Sequence, residues 1–211
     1  TLVSGITNAK KIAAGANHTC VITADDKVKC WGQDSGAQLG DDANKVDQLV
    51  PVEVSGLTLG DGITISQIAL GAAHSCVLLS DKKVWCWGSN EFGQLGVAEI
   101  TESLVPTLIS DIDKVAQISV GHNQTCVVFD GNLETEENEA GPLKCWGENV
   151  TYTSSEDSTD TFKKAVTSGQ HLCVLDSRDV LKCQGTDQSG QLGNDDQLEN
   201  QVALVDVSSS L

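Results

Sequence analysis

Apolar and polar positions alternate along this chain in short runs, and the same composite run is written four times. It reads KIAAGANHTC…KCWG at Lys11–Gly32, QIALGAAHSC…WCWG at Gln67–Gly88, QISVGHNQTC…KCWG at Gln117–Gly147 and KAVTSGQHLC…KCQG at Lys164–Gly185. The leading cysteines, Cys20, Cys76, Cys126 and Cys173, are 56, 50 and 47 residues apart. A period near fifty predicts a repeat architecture. Within the first repeat, His18 to Thr23 and Lys27 to Trp31 alternate as half-buried strands around a turn at Ala24-Asp25-Asp26. Folding about Asp25 sets Cys20 opposite Cys30 and Ile22 opposite Val28. The second hairpin centres on Asp81 and the fourth on Arg178. A β-like run precedes each hairpin, as at 63–70 and 115–120. Gly15, Gly71 and Gly121 follow these runs, where a turn that side chains would obstruct is expected. G-Q-L-G turns lie downstream at 93–96 and 190–193, with a G-A-Q-L-G variant at 36–40, and a further strand follows Pro51 and Pro106. About four short antiparallel strands per repeat is the content of a propeller blade, with a solenoid of hairpins as the alternative. The predicted fold is all-β, one repeat domain over 1–211, with repeats near 1–50, 51–105, 106–155 and 156–200. Residues 201–211 begin a further repeat or form a terminal strand.

These residues resemble the regulator-of-chromosome-condensation repeat family, β-propellers with G-Q-L-G turns and a His-x-Cys…Cys-Trp-Gly core. The cysteine pairs resemble the extracellular versions of that repeat. Repeat three departs from it in an acidic hairpin tip at 131–141 and in the loss of G-Q-L-G to the polar segment 149–158. Repeat four has Gln184 in place of the tryptophan. The resemblance implies a seven-bladed ring, of which four repeats are present. Thr1-Leu-Val-Ser-Gly5 mirrors Pro51-Val-Glu-Val-Ser-Gly56. A fragment of a longer ring, closure with another copy, or a head-to-tail polymer would each account for this.

Composition narrows the function. Aromatic residues are only 4%, so the core must come from Val, Ile, Leu, Ala and the cysteines. A net charge of −17 leaves no basic stripe for nucleic acid and opposes an anionic membrane surface. No run reaches membrane-spanning length. The start at Thr1 and the absence of methionine read as a mature or trimmed product. Eight cysteines fall into the pairs Cys20/Cys30, Cys76/Cys86, Cys126/Cys145 and Cys173/Cys183. Without any C-x-x-C, and with two sulfurs per repeat, they favour disulfides over zinc. An extracellular or cell-surface location is expected.

The candidate chemistry is sparse. His18, His74 and His171 share one repeat position, with Gln124 there in repeat three. A metal or catalytic cluster at a common axis is one reading; the favoured reading is a hydrogen bond from each to its own blade's backbone. His122 is out of register. Thr19, Ser75 and Thr125 adjoin these positions along a strand, so each hydroxyl should face away from its neighbouring imidazole. Glu134, Glu136, Glu137 and Glu139 lack the ligand order of a calcium loop. Asn17, Asn123 and Asn149 head Asn-x-Thr glycosylation sequons. Trp31, Trp87 and Trp146 are expected to pack on the disulfides. Trp85, Phe92 and Tyr152 are candidate contact residues. No catalytic, metal or cofactor site is expected.

The leading expectation is a non-enzymatic extracellular scaffold that binds protein, including copies of itself through its terminal strands. An inhibitor or binder of an enzyme, and a nucleotide-exchange factor for a small GTPase, are the alternatives that the resemblance implies.

Overall fold

The computed structural model describes residues 2–43, 45–131, 140–149, 160–194 and 199–207. Four antiparallel sheets follow one another along the chain. The first contains β1 (Ala9–Ala14), β2 (His18–Thr23), β3 (Val28–Gly32) and β4 (Gln48–Glu53) in spatial order. The second contains β5 (Ile65–Leu70), β6 (His74–Leu79), β7 (Val84–Ser89) and β8 (Glu102–Leu108). In the third, β9 (Val115–Val120), β10 (Gln124–Phe129) and β11 (Leu143–Gly147) are the strands among the described residues. The fourth contains β12 (Phe162–Thr167), β13 (His171–Asp176), β14 (Leu181–Gly185) and β15 (Gln201–Asp206). Gln201–Asp206 is therefore the outermost strand of the fourth sheet. These are propeller blades in an open, unclosed arrangement.

The hairpins explain the cysteine register. Cys20 pairs with Cys30, Cys76 with Cys86, Cys126 with Cys145 and Cys173 with Cys183, each directly opposite. Asp26, Lys82 and Asp179 adopt φ of 56°, 69° and 66° at equivalent positions. Each is the left-handed residue that closes a three-residue hairpin loop after a turn. The first strands of neighbouring blades lie side by side, so β1, β5, β9 and β12 form the inner wall. Side-chain amides tie that wall together. Ile118 N–H donates to Gln67 Oε1 at 3.0 Å, and Ala165 N–H donates to Gln117 Oε1 at 2.8 Å.

Apolar burial is divided into three slabs, one per seam between blades. Ile22, Val28 and Leu39 meet Ile65, Val77 and Leu79 at the first seam. Leu78, Val84 and Leu95 meet Val115, Ile118 and Val127 at the second. Val128 and Leu143 meet Phe162, Ala165 and Val174 at the third. On the fourth blade, Val166 and Leu181 are 51% and 46% exposed. Val28, the repeat equivalent of Leu181, is 2% exposed because the second blade covers it.

Candidate functional site

The polar chemistry of the chain is concentrated in the seams. His18 Nε2 lies 2.9 Å from Ser75 Oγ in the next blade. Ser75 Oγ donates to Gln38 O at 2.8 Å, and Trp87 Nε1–H donates to the same carbonyl at 2.9 Å. The second seam repeats the set: His74 Nε2 to Thr125 Oγ1 at 3.0 Å, with Thr125 Oγ1 and Trp146 Nε1 donating to Gln94 O at 2.8 and 2.9 Å. Because each hydroxyl spends its proton on a carbonyl, it must accept from the imidazole. Both histidines therefore carry hydrogen on Nε2. Burial pushes the His18 imidazole down to about 4 and the His74 imidazole down to about 3. Both are neutral at physiological pH.

One sequence expectation changes here and a second is extended. His18 and His74 bond the neighbouring blade's hydroxyl rather than their own blade's backbone, whereas His171 Nδ1 lies 2.8 Å from Ser168 Oγ of its own blade. Imidazole and hydroxyl do meet, across a seam instead of along a strand. The result is not a nucleophile: Ser75 and Thr125 are fully buried, and their protons are committed to carbonyls.

Glycine enters for space rather than conformation. A Cβ at Gly71 would lie 2.5 Å from Gly121 O and 2.4 Å from His74 Cε1. One at Gly15 would lie 2.3 Å from Gly71 O. These residues allow the blades to approach around a cavity of about 230 Å³ at the inner end of the wall. Gly71→Ala should lower stability by about 2 kcal/mol or more, seen as a lower urea midpoint. Gly60→Ala, where only Ile63 Cγ1 lies 3.5 Å away, is the control.

The G-Q-L-G turn presents the shared carbonyl. Gln38 Oε1 accepts from Gly36 N–H and Gln94 Oε1 from Phe92 N–H, at 2.8 and 2.9 Å. Asp34, Asn90 and Asp187 cap the turns by accepting from Leu39, Leu95 and Leu192 N–H at 2.8–2.9 Å. Burial raises the Asp34 carboxyl. Sequence reasoning missed these three caps. The available signal was an Asp or Asn recurring five residues before the turn leucine.

The third seam lacks the whole set. Gln124 replaces the histidine, Leu172 the hydroxyl and Gln184 the tryptophan, and no G-Q-L-G follows β11. Thr167 Oγ1 donates to Gln124 Oε1 at 2.9 Å, and Gln124 Nε2 donates to Glu148 O. A cavity of about 530 Å³ opens at this seam, lined by residues that include Phe92, Asn123, Glu148, Gln170, His171 and Gln191.

Cys20–Cys30, Cys76–Cys86, Cys126–Cys145 and Cys173–Cys183 are disulfides with Cα separations of 4.1 Å. Trp85 is only half-exposed and packs against the first seam, so it is not the surface residue expected. Phe92 is 47% exposed. Tyr152 and the four glutamates of the acidic tip lie outside the described residues. Asn17 and Asn149 are exposed, whereas Asn123 donates to Glu148 Oε2 at 2.7 Å and the hydroxyl of its sequon, Thr125, is buried. Among the described residues, no three His, Cys, Asp or Glu side chains gather as metal ligands.

Comparison with known proteins agrees with this architecture. Two models of the regulator of chromosome condensation (RCC1) repeat match the chain, one at 9–38 and 65–94 and the other at 25–78 and 81–128. Together they run from residue 9 to 128, more than half of the chain. The ultraviolet-B receptor UVR8 of Arabidopsis thaliana is 31% identical over 129 residues, which are 60% of this chain and 28% of that protein. Human WBSCR16 has a similar fold, with a TM-score of 0.79 at 19% identity over 99% of this chain and 55% of its own. Prp20p of Saccharomyces cerevisiae, described with its binding to Gsp1p and histones, gives 0.72 at 21% identity over 92% and 48%. The chain thus spans about half of these solved propellers and less than a third of the plant receptor.

Proposed function

The chain belongs to the regulator of chromosome condensation (RCC1) repeat family, and from that footing we propose that it is a non-enzymatic protein-interaction module working outside the cytosol. The observation that carries this reading is the placement of one disulfide in every blade, with no free cysteine. Such pairing persists in oxidising compartments and is lost in reducing ones. The seams support a structural role for His18, His74, Ser75 and Thr125, since each imidazole Nε2 and each hydroxyl is engaged in a hydrogen bond between blades. Protein binding is in keeping with Prp20p, whose described partners are proteins. A nucleotide-exchange role for this chain is disfavoured by the disulfides, and fold alone transfers no activity.

Self-association forms part of the proposal. Val166 and Leu181 give the fourth blade an exposed apolar face like the faces covered elsewhere by the next blade. Light scattering on the oxidised chain tests it. A mass that rises above 22.2 kDa with concentration is expected. A monomer at every concentration would remove self-association and leave heterologous partners, to be sought by pull-down from extracellular material.

A further inference from the structure

We propose that the open face of the fourth blade receives the first blade of a second copy, head to tail, and that the two faces form a seam of the kind that joins the first three blades. This pairing rests on the self-association proposed above and names the surfaces that meet. At each of the first two seams the leading blade supplies an imidazole and the carbonyl of its G-Q-L-G-type turn. The following blade supplies a hydroxyl and an indole N–H. The third seam has lost all four members, with Gln124, Leu172 and Gln184 in their places and no G-Q-L-G after β11. The fourth blade nevertheless keeps His171 and the turn at 190–193 for its outward side, and the first blade keeps Thr19 and Trp31. One complete set is thus present in the chain, divided between its first and last blades.

Each half is uncovered and unpaired. His18, His74, Gln38 and Gln94 are buried in their seams, whereas His171 and Gln191 are only half-buried. Ser75, Thr125 and Trp87 are fully buried, whereas Thr19 and Trp31 are half-buried. Among the described residues, nothing within the chain hydrogen-bonds His171 Nε2, Gln191 O, Thr19 Oγ1 or Trp31 Nε1. Ser168 Oγ lies 2.8 Å from His171 Nδ1. By donating there it leaves the proton on Nε2, the form that His18 and His74 adopt. In the joint seam Thr19 Oγ1 accepts from His171 Nε2 and donates to Gln191 O, to which Trp31 Nε1–H also donates. The apolar positions correspond as well. Ile12 is 70% exposed, although its equivalents Ile68 and Ile118 pack into the first and second seams. Leu181 is exposed where its equivalents Val28 and Val84 are buried. Ser168 stands where Gly15 and Gly71 admit the next blade, so the inner ends stay further apart and the contact falls on the strands outward of it. Two copies of four blades fall within the roughly four to eight blades that propellers close, and head-to-tail contacts that close give a ring.

The test is light scattering on the oxidised full chain and its variants, in salt sufficient to screen the net charge of −17. The parent should exceed 22.2 kDa as concentration rises. Ile12→Asp alters only the first blade and Leu181→Asp only the fourth. Both positions are exposed in the single chain, so each variant should keep the parent's near-ultraviolet circular dichroism at dilution. Each alone should weaken association at least about tenfold, because every head-to-tail contact uses both faces and neither offers a new carboxylate a partner. Thr19→Val should weaken it about tenfold, since His171 Nε2–H is then buried without an acceptor. Thr19→Ser should keep the parent's affinity, as Ser75 fills the same role at the first seam. A parent that stays monomeric at every concentration overturns the self-association and this pairing with it, and leaves both faces to a partner other than a copy. A parent that associates, with either Asp variant associating equally well, overturns the pairing alone. Equal affinity of Thr19→Val and the parent also overturns it, and marks an apolar contact in place of a rebuilt seam.

Discussion

Acidification from pH 7 towards pH 4 should destabilise the fold steeply, and the loss should trace to His18 and His74. Their folded-state values are about 4 and about 3, against 6.5 for a free imidazole, because burial disfavours the charged ring. As pH falls below 6.5 the unfolded chain takes up two protons that the native chain refuses. Stability therefore declines with falling pH, by about 1.4 kcal/mol per unit for each histidine. Over the two units from 6.5 to 4.5 the pair should account for about 5 kcal/mol, comparable with the whole stability of many domains. Two effects work in the opposite sense. The raised Asp34 carboxyl takes its proton earlier in the folded state, and protonating carboxylates relieves a net charge of −17. The decisive quantity is thus the difference between chains. Urea midpoints at pH 7, 6 and 5 should fall in the parent and flatten in the His18→Gln/His74→Gln variant, whatever its starting stability. Parallel curves would mean that neither imidazole is held neutral.

The same two histidines show what a sequence can disclose. The disulfide register was legible because it is local: ten residues and one turn set Cys20 opposite Cys30, and Cys76 opposite Cys86. The partners of the histidines were not legible. Period-two logic separates His74 from Ser75 on β6, and it is correct for that strand. It is silent about His18 and Ser75, which lie 57 residues apart and meet only when two blades stack. Gly71 was recognisable as required at the β5–β6 turn, where a Cβ would strike His74; that it would also strike Gly121 O in the next blade was not. Trp85 looked exposed because it falls outside the shared pattern, whereas the first seam half-covers it. The departures in repeats three and four looked like separate blemishes for the same reason. A seam draws its residues from two repeats, and a reading repeat by repeat divides what the fold unites.

Reduction should unfold the chain. Three bridges close loops of ten residues and one closes nineteen. Constraining the unfolded state accounts for roughly 3 kcal/mol per bridge in the chain-entropy model. Four together come to about 11 kcal/mol, set against a typical domain stability of roughly 5–15 kcal/mol. The bridges do not open equally. Cys20, Cys30, Cys76 and Cys86 are fully buried, while Cys173 on the fourth blade is half-exposed. Thiolate attack requires access to a sulfur, so Cys173–Cys183 should reduce first under native conditions. Mass spectrometry after timed alkylation would reveal that order. Circular dichroism should then show loss of near-ultraviolet signal once the inner bridges open, and recovery on reoxidation. A fully reduced chain that keeps its native spectrum would weaken the case for an oxidising compartment, because the hairpins would then stand on packing alone. Loss of structure on reduction would tie the fold itself to the redox state of its surroundings.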